Sequence, residues 1–271
     1  MVVESLVILI DLAFTILITS VIPTGKYYHY WAPFLLLIAG YILGVAIMWC
    51  VLSAFAAPYS KTKKYDKPSK WANFWLCDGI TYIDRHAGAR VKIINNIALP
   101  KERFLLICNH ISKFDPMVIY QVFGKKRQIA FISKPTNFKI PIGGHLMKAT
   151  CCMSIDRYDK LKSLEVMKEA TDLIANDISS VGVFPEGTRS EDEKFHEFHE
   201  GVFSIAIKSK CPIVVTTVKN TIDIHKNFPK RSTKVYLEVV KVIYPEEYDG
   251  MITKELSDRC HDLMEASINA N

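Results

Sequence analysis

The chain has 271 residues, 49% hydrophobic and 23% charged, with a formal net charge of +6. That is ample for a sizeable core, and it excludes a disordered chain, a collagen-like repeat and a small disulfide-stapled scaffold. The charge is unevenly spread: residues 1–60 carry only Glu4, Asp11 and Lys26, so a nearly uncharged amino-terminal segment precedes a basic body.

Two apolar stretches fill that segment. Met1–Ile22 is largely apolar, with Glu4 and Asp11 as its charges, and Ala32–Ala57 runs 26 residues without a charge. About 20 helical residues cross a bilayer core, so the second stretch is long enough to span with tilt. The first is the weaker match, because carboxylates are costly in hydrocarbon. It lacks a basic leader and is followed by a second apolar stretch, which does not fit a cleaved signal. The expected arrangement is a membrane-anchoring helical hairpin over 1–60, turning through Pro23–Trp31, whose tyrosines and tryptophan suit an interface. Gly40 and Gly44 form a GxxxG spacing that lets helices approach closely. Beyond Pro58, Lys61, Lys63, Lys64, Lys67 and Lys70 outnumber the single Lys26 of the loop. By the positive-inside rule this puts the body, 61–271, on the cytoplasmic side of a membrane, and it offers cations to anionic lipid. The seven cysteines include no CxxC pair, which fits a reducing compartment.

Within the body, Pro68–Ile83 reads as an amphipathic helix whose Trp71, Phe74 and Trp75 suit either a membrane surface or a core. From about residue 90, short apolar runs alternate with helical stretches. The strands are expected at Val91–Ile94, Phe104–Cys108, Ile129–Ser133, Met153–Asp156, Val181–Phe184, Ile213–Val218 and Val235–Ile243. The runs at 104–108 and 181–184 have few polar interruptions, as in strands covered on both faces. Helical spacing recurs at Leu161, Leu164, Met167, Thr171 and Ile174, and at Leu256, Cys260, Leu263, Met264 and Ser267. This alternation predicts a single α/β domain with a mixed, mostly parallel sheet flanked by helices. The long strand Val235–Ile243 is expected at an edge or antiparallel.

Two polar blocks interrupt this apolar pattern. Asn109-His110-Ile111-Ser112-Lys113-Phe114-Asp115-Pro116 follows the run ending at Cys108. On a regular helix His110 and Asp115 would stand about 140° apart, so they meet only if the segment turns. Pro116 favours such a turn, since it disfavours helix at Asp115 and is suited to begin one. An Asp beside a His fixes the imidazole tautomer and stabilises the imidazolium, leaving the His as general base toward a hydroxyl. Asp115 as a helix cap and His110 as a loop histidine are the alternatives. The second block is Phe184-Pro185-Glu186-Gly187-Thr188-Arg189-Ser190. It ends the run 181–184, and its Arg189 offers a planar fork suited to phosphate. Lys134 and Arg157, on the intervening stretch, are further cations.

Together these blocks resemble the glycerolipid acyltransferases, and among them the lysophosphatidate acyltransferases. NHxSxxD and FPEGTRS are both complete, in the family's order, about 75 residues apart. The resemblance covers roughly residues 68–245. The sequence departs from the family's usual pattern at Thr136 (Glu), Cys151 (Gly), His199 (a basic residue) and Val215 (Pro).

The resemblance implies transfer of a fatty acyl group from acyl-CoA or acyl-carrier protein to the free hydroxyl of 1-acyl-glycerol-3-phosphate, forming phosphatidate. His110 would be the base and Asp115 its orienting partner. Glu186, Gly187, Thr188 and Arg189 would surround the acceptor's glycerol phosphate, with Arg157 and Lys134 as second cations there. The expected partners are a lipid bilayer, a lysophospholipid acceptor and the acyl donor, without nucleic acid, cofactor or metal. A different lysolipid acceptor is one alternative. A membrane lipid hydrolase using Ser112 is another.

Overall fold

The computed structural model describes residues 2–21, 32–60, 63–95, 97–190 and 195–270. The chain divides into two compact units, Met1–Pro58 and Tyr59–Asn271.

The first unit is a pair of helices, α1 (Val2–Val21) and α2 (Ala32–Ala56). Each is long and apolar enough to cross a membrane. They pack on the GxxxG face: a Cβ at Gly44 would stand 3.0 Å from the carbonyl oxygen of Val7, and one at Gly40 would strike the Asp11 carboxylate. Asp11 is thus turned toward the partner helix, where an acidic group in an apolar hairpin costs least. The expected interfacial loop, Pro23–Trp31, lies outside the described residues, as does Lys61.

The second unit is built on one seven-stranded sheet. In chain order its elements are α3 (Lys70–His86), β1 (Ala89–Ile94), β2 (Leu105–Cys108), α4 (Asp115–Ile119), β3 (Ile129–Ser133), α5 (Gly143–Ala149), β4 (Met153–Ser154), α6 (Lys160–Ala175), β5 (Ser180–Val183), α7 (Ser204–Ser209), β6 (Ile213–Lys219), α8 (Asp223–Asn227), β7 (Thr233–Ile243) and α9 (Thr253–Asn269). The strand order is β1-β7-β6-β2-β5-β3-β4. All pairs are parallel except β6 with β7. The expected mixed, mostly parallel sheet is therefore present.

β2 and β5 are buried along their whole length, as their unbroken apolar runs require. β7 is antiparallel to β6, as one expected alternative held, but it is not an edge strand: β1 pairs on its far side, and β1 and β4 form the edges. β4 is shorter than expected because Asp156 accepts from the Tyr158 N–H at 3.1 Å, turning the chain out of the ladder.

α6, α7 and α9 cover one face, where Leu173, Phe203, Ile205, Leu256 and Met264 join Leu105, Ile107, Val181 and Val215 in a single apolar cluster. Right-handed crossovers place α4 and α5 on the opposite face, where α3 packs against both. Ser69 caps α3 by accepting from the Ala72 N–H at 3.2 Å. The helix divides its aromatics: Trp75 is buried, whereas Trp71 and Phe74 stay exposed. β2, β5, β3 and β4 all run the same way, so the segments carrying both polar blocks leave the sheet at one common end. That is where open α/β sheets hold their ligands.

Candidate active site

The block after β2 is fastened before it turns. The buried Asn109 side chain acts as an extra peptide group: its Nδ2 donates to the Val218 carbonyl at 3.0 Å, and its Oδ1 accepts from the Val218 N–H at 2.8 Å. The chain then folds back on itself. Ser112 accepts from the Phe114 N–H at 3.3 Å through its hydroxyl and from the Asp115 N–H at 3.2 Å through its carbonyl. This turn brings the two ends of the motif together, with His110 Nδ1 2.8 Å from Asp115 Oδ2.

Asp115 is fully buried, and among the described residues its carboxylate is held by donors. Oδ2 also accepts from the N–H groups of Ile111 at 2.7 Å and Ser112 at 2.8 Å, and Oδ1 accepts from the Thr221 hydroxyl. The residue opens α4 but does not cap it; Phe114 occupies the cap position, and Pro116 follows in the first turn. A carboxylate can only accept, so Nδ1 of His110 carries the proton and Nε2 is left to take one. The imidazole lies against Phe184, with centroids 4.3 Å apart, and its side chain is 16% exposed. Ser112 is buried and holds the turn.

The second block wraps around the first. Glu186 is buried, and its carboxylate accepts from the His110 N–H at 2.6 Å, the Ser190 hydroxyl at 2.9 Å and the His196 N–H at 3.3 Å. Burial pushes its pKa up, and these three donors oppose the shift. The Ser190 N–H closes the circuit by donating to the His110 carbonyl at 2.9 Å. Glu186 therefore fixes the backbone of the base.

Gly187 has a φ of +73°, reached by the turn in which its N–H donates to the Phe184 carbonyl at 3.0 Å. A Cβ there would lie 2.6 Å from the His199 ring and 3.8 Å from the Arg157 guanidinium carbon. Arg157 and His199 thus converge on this glycine, and partial desolvation lowers the Arg157 pKa. Thr188 and Arg189 are exposed. Arg189 and Lys113 also act on His225: burial lowers the His225 pKa, and the charges of Lys113 and Arg189 lower it further. The His225 ring meets Phe114 edge-on with centroids 5.1 Å apart. Lys134 is exposed at the end of β3, one strand beyond β5. A cleft of about 490 Å³ opens beside the His–Asp pair, lined by Asn109, Ile111, Ser190, Phe195, Lys219 and Glu265 among others.

Several of these contributors are absent from the motif reading. Thr221 lies 106 positions from Asp115, and no local pattern links them. Asn109 and Ser190 belong to the two blocks, but the motif pattern gives them no role. Two departures from the family's pattern gain a physical setting. Cys151, where the family usually has Gly, has a φ of +62°, a conformation glycine adopts without strain. Val215, where the family usually has Pro, lies at the irregularity in the β6–β7 pairing, and such irregularities are among the places where a sheet tolerates proline.

A family model described as acyltransferase matches residues 90–219. Over 155 residues the chain is 35% identical to a 1-acyl-sn-glycerol-3-phosphate acyltransferase of Chlamydomonas reinhardtii, covering 55% of this chain and 43% of that protein. It is 30% identical over 169 residues to the 1-acyl-sn-glycerol-3-phosphate acyltransferase of Haemophilus influenzae, covering 61% and 68%. The chain therefore spans less than half the length of the algal relative. The crystal structure of the 1-acyl-sn-glycerophosphate acyltransferase PlsC from Thermotoga maritima shares the fold, with a TM-score of 0.57, 22% identity and coverage of 74% of this chain and 78% of that one.

Proposed function

Because the chain belongs to the acyltransferase family, we propose that it moves a fatty acyl group from acyl-CoA or acyl-carrier protein to the free hydroxyl of 1-acyl-glycerol-3-phosphate, yielding phosphatidate. The observation that carries this reading is the His110–Asp115 pair at 2.8 Å, with Nε2 left as the free ring nitrogen. Nε2 takes the proton of the acceptor hydroxyl as its oxygen attacks the thioester carbonyl. Asp115 stabilises the imidazolium that forms. The carbon–sulfur bond breaks as the ester forms, and His110 returns the proton to the departing sulfur. A positioned base of this kind contributes about 10²–10⁴-fold in rate. No covalent acyl-enzyme is required, because the acceptor is itself the nucleophile.

Arg189, with Arg157 and Lys134 as further cations, suits the acceptor's phosphate. Glu186 acts by holding the His110 backbone, and Gly187 lets the loop pass close to His199. An acceptor that resides in a bilayer explains the value of two apolar helices ahead of the body. The excess of lysines that follows them in the sequence supports a body on the cytoplasmic side.

The test is to present the purified chain, in mixed micelles with acyl-CoA, with lysophosphatidate and with lysolipids bearing other head groups. CoA release that requires lysophosphatidate and is lost in His110→Ala supports the proposal. Transfer to another lysolipid alone would refute the acceptor, and full activity of His110→Ala would refute the mechanism.

A further inference from the structure

The second unit carries an apolar rim at the end of the sheet where the His–Asp pair lies. β3 and β4 run side by side and leave the sheet together, with Ser133 opposite Ser154 and the Ile155 N–H donating to the Ser133 carbonyl at 3.0 Å. The segments that follow present large side chains to solvent: Ile140 is 52% exposed, Tyr158 fully exposed, Leu161 75% and Leu164 66%. Leu161 and Leu164 are three apart on α6 and share its outer face. This is the first turn of α6, directly after Arg157. Soluble surfaces scatter single apolar residues, whereas a grouped set beside a site marks something that binds there.

The charges around the rim indicate what binds. Lys134, Lys139, Arg157, Lys160 and Lys162 are all exposed there, against Asp156, Asp159 and Glu165. Asp159 is engaged locally, capping α6 and pairing with Lys162 at 3.0 Å. An apolar strip edged by an excess of cations matches an anionic lipid interface, whereas a second copy would set these cations against one another. The chain also enters the unit along this side of the sheet: Tyr65 packs on the apolar cluster beneath α6, and Lys64 pairs with Glu169 of α6 at 3.2 Å. The exposed Trp71 and Phe74 of α3 lie elsewhere. Their neighbour Asn73 donates to the Gly124 carbonyl at 2.9 Å, at the foot of the helical segment that runs away from Asp115.

We propose that Ile140, Tyr158, Leu161 and Leu164 form a bilayer-docking surface, through which the second unit inserts its own apolar rim into the headgroup region of an anionic membrane. The rim then holds Arg157, which stands beside Gly187 of the second block, at the level where a lipid phosphate resides. This placement rests on the reading of the acceptor as a membrane lipid, but its test does not require turnover.

The full chain is reconstituted into vesicles of phosphatidylcholine and phosphatidylglycerol, in a Cys50→Ser background. Cys50 is the exposed cysteine among the described residues, and the other six are buried. A polarity-sensitive fluorophore is attached at Leu161→Cys or Leu164→Cys, and at Lys101→Cys, an exposed control before β2 at the opposite end of the sheet. The expected result is a blue-shifted label at 161 and 164, quenched several-fold more strongly by brominated lipid than the label at 101. Equal, water-like emission at all three positions would overturn the proposal. So would a blue shift in detergent that grows with protein concentration, since that assigns the rim to a second copy. In a separate arm, Leu161→Asp with Leu164→Asp raises the KM for acceptor presented in vesicles several-fold and leaves the KM for a monomeric short-chain acceptor unchanged. An unchanged vesicle KM would count against the surface, whereas failure of the wild type to acylate lysophosphatidate would count only against the proposed acceptor.

Discussion

Replacing Asp115 by Asn separates the two tasks of this residue. Asp115→Ala is the wrong experiment: it orphans the Ile111 and Ser112 N–H groups, the His110 Nδ1–H and the Thr221 hydroxyl. At about 1–3 kcal/mol for each buried group left unsatisfied, the loss approaches the whole stability of an ordinary domain, about 5–15 kcal/mol. Asn can instead set its carbonyl oxygen where Oδ2 stands and keep those three donors. Its amide then faces the Thr221 hydroxyl, which rotates to accept. The loop and the His110 tautomer survive, and only the charge is removed.

What is lost is the attraction between carboxylate and imidazolium. With N and O 2.8 Å apart, the charge centres lie about 4 Å apart, worth about 4 kcal/mol at an effective dielectric of about 20. That corresponds to roughly a thousandfold in kcat, with little change in KM. CoA release measured with a thiol reagent under saturating acceptor gives the rate, and the thermal unfolding midpoint reports the fold. Wild-type kcat in a folded Asp115→Asn protein would refute the electrostatic role and leave Asp115 as a loop brace.

Three further outcomes follow from the same structure. Ser112→Ala removes one long bond to the Phe114 N–H and costs about 1 kcal/mol of stability with near-wild-type turnover; a loss matching that of His110→Ala would favour the hydrolase. Gly187→Ala forces an L-residue to a φ of +73° and drives its methyl into the His199 ring. The expected cost is about 2–3 kcal/mol with activity reduced, as read by thermal midpoint and by the acceptor KM. Asp84 is fully buried, neither carboxylate oxygen has a hydrogen-bond partner in the described structure, and burial raises its pKa from 3.8 to about 7. The raised value means the native state disfavours the charged form, so this group subtracts stability as pH rises from about 4 to about 7, and the full penalty persists above. The shift caps that penalty at about 4 kcal/mol. After about 1–3 kcal/mol for the new unpaired amide donors, Asp84→Asn should raise the midpoint at pH 8 and not at pH 4. An equal effect at both values would refute the assignment.

How far each feature was legible depended on the range of the interaction behind it. The fully covered strands β2 and β5 were readable because burial on both faces demands an unbroken apolar run. The helices α6 and α9 were readable because their apolar positions recur at helical spacing. The His110–Asp115 pairing was conditional on a turn, and Pro116 supplied the local reason to expect one. The placement of β7 was only half legible: its length and alternation suggested an edge or an antiparallel strand, yet nothing local announced that β1, from the other end of the body, would cover it.

The sequence by itself determined which residues are available for chemistry and where the apolar segments begin and end, because periodicity, charge and motif spacing are local properties of the chain. Only the tertiary structure decided what those residues do for one another. Glu186 became a brace for the backbone of the base, Thr221 an unannounced partner of Asp115, and Gly187 the point where Arg157 and His199 converge. The physical reason is the same in each case: a buried polar group must find a partner, and in a sheet with crossover connections that partner comes from a strand end far away in the chain.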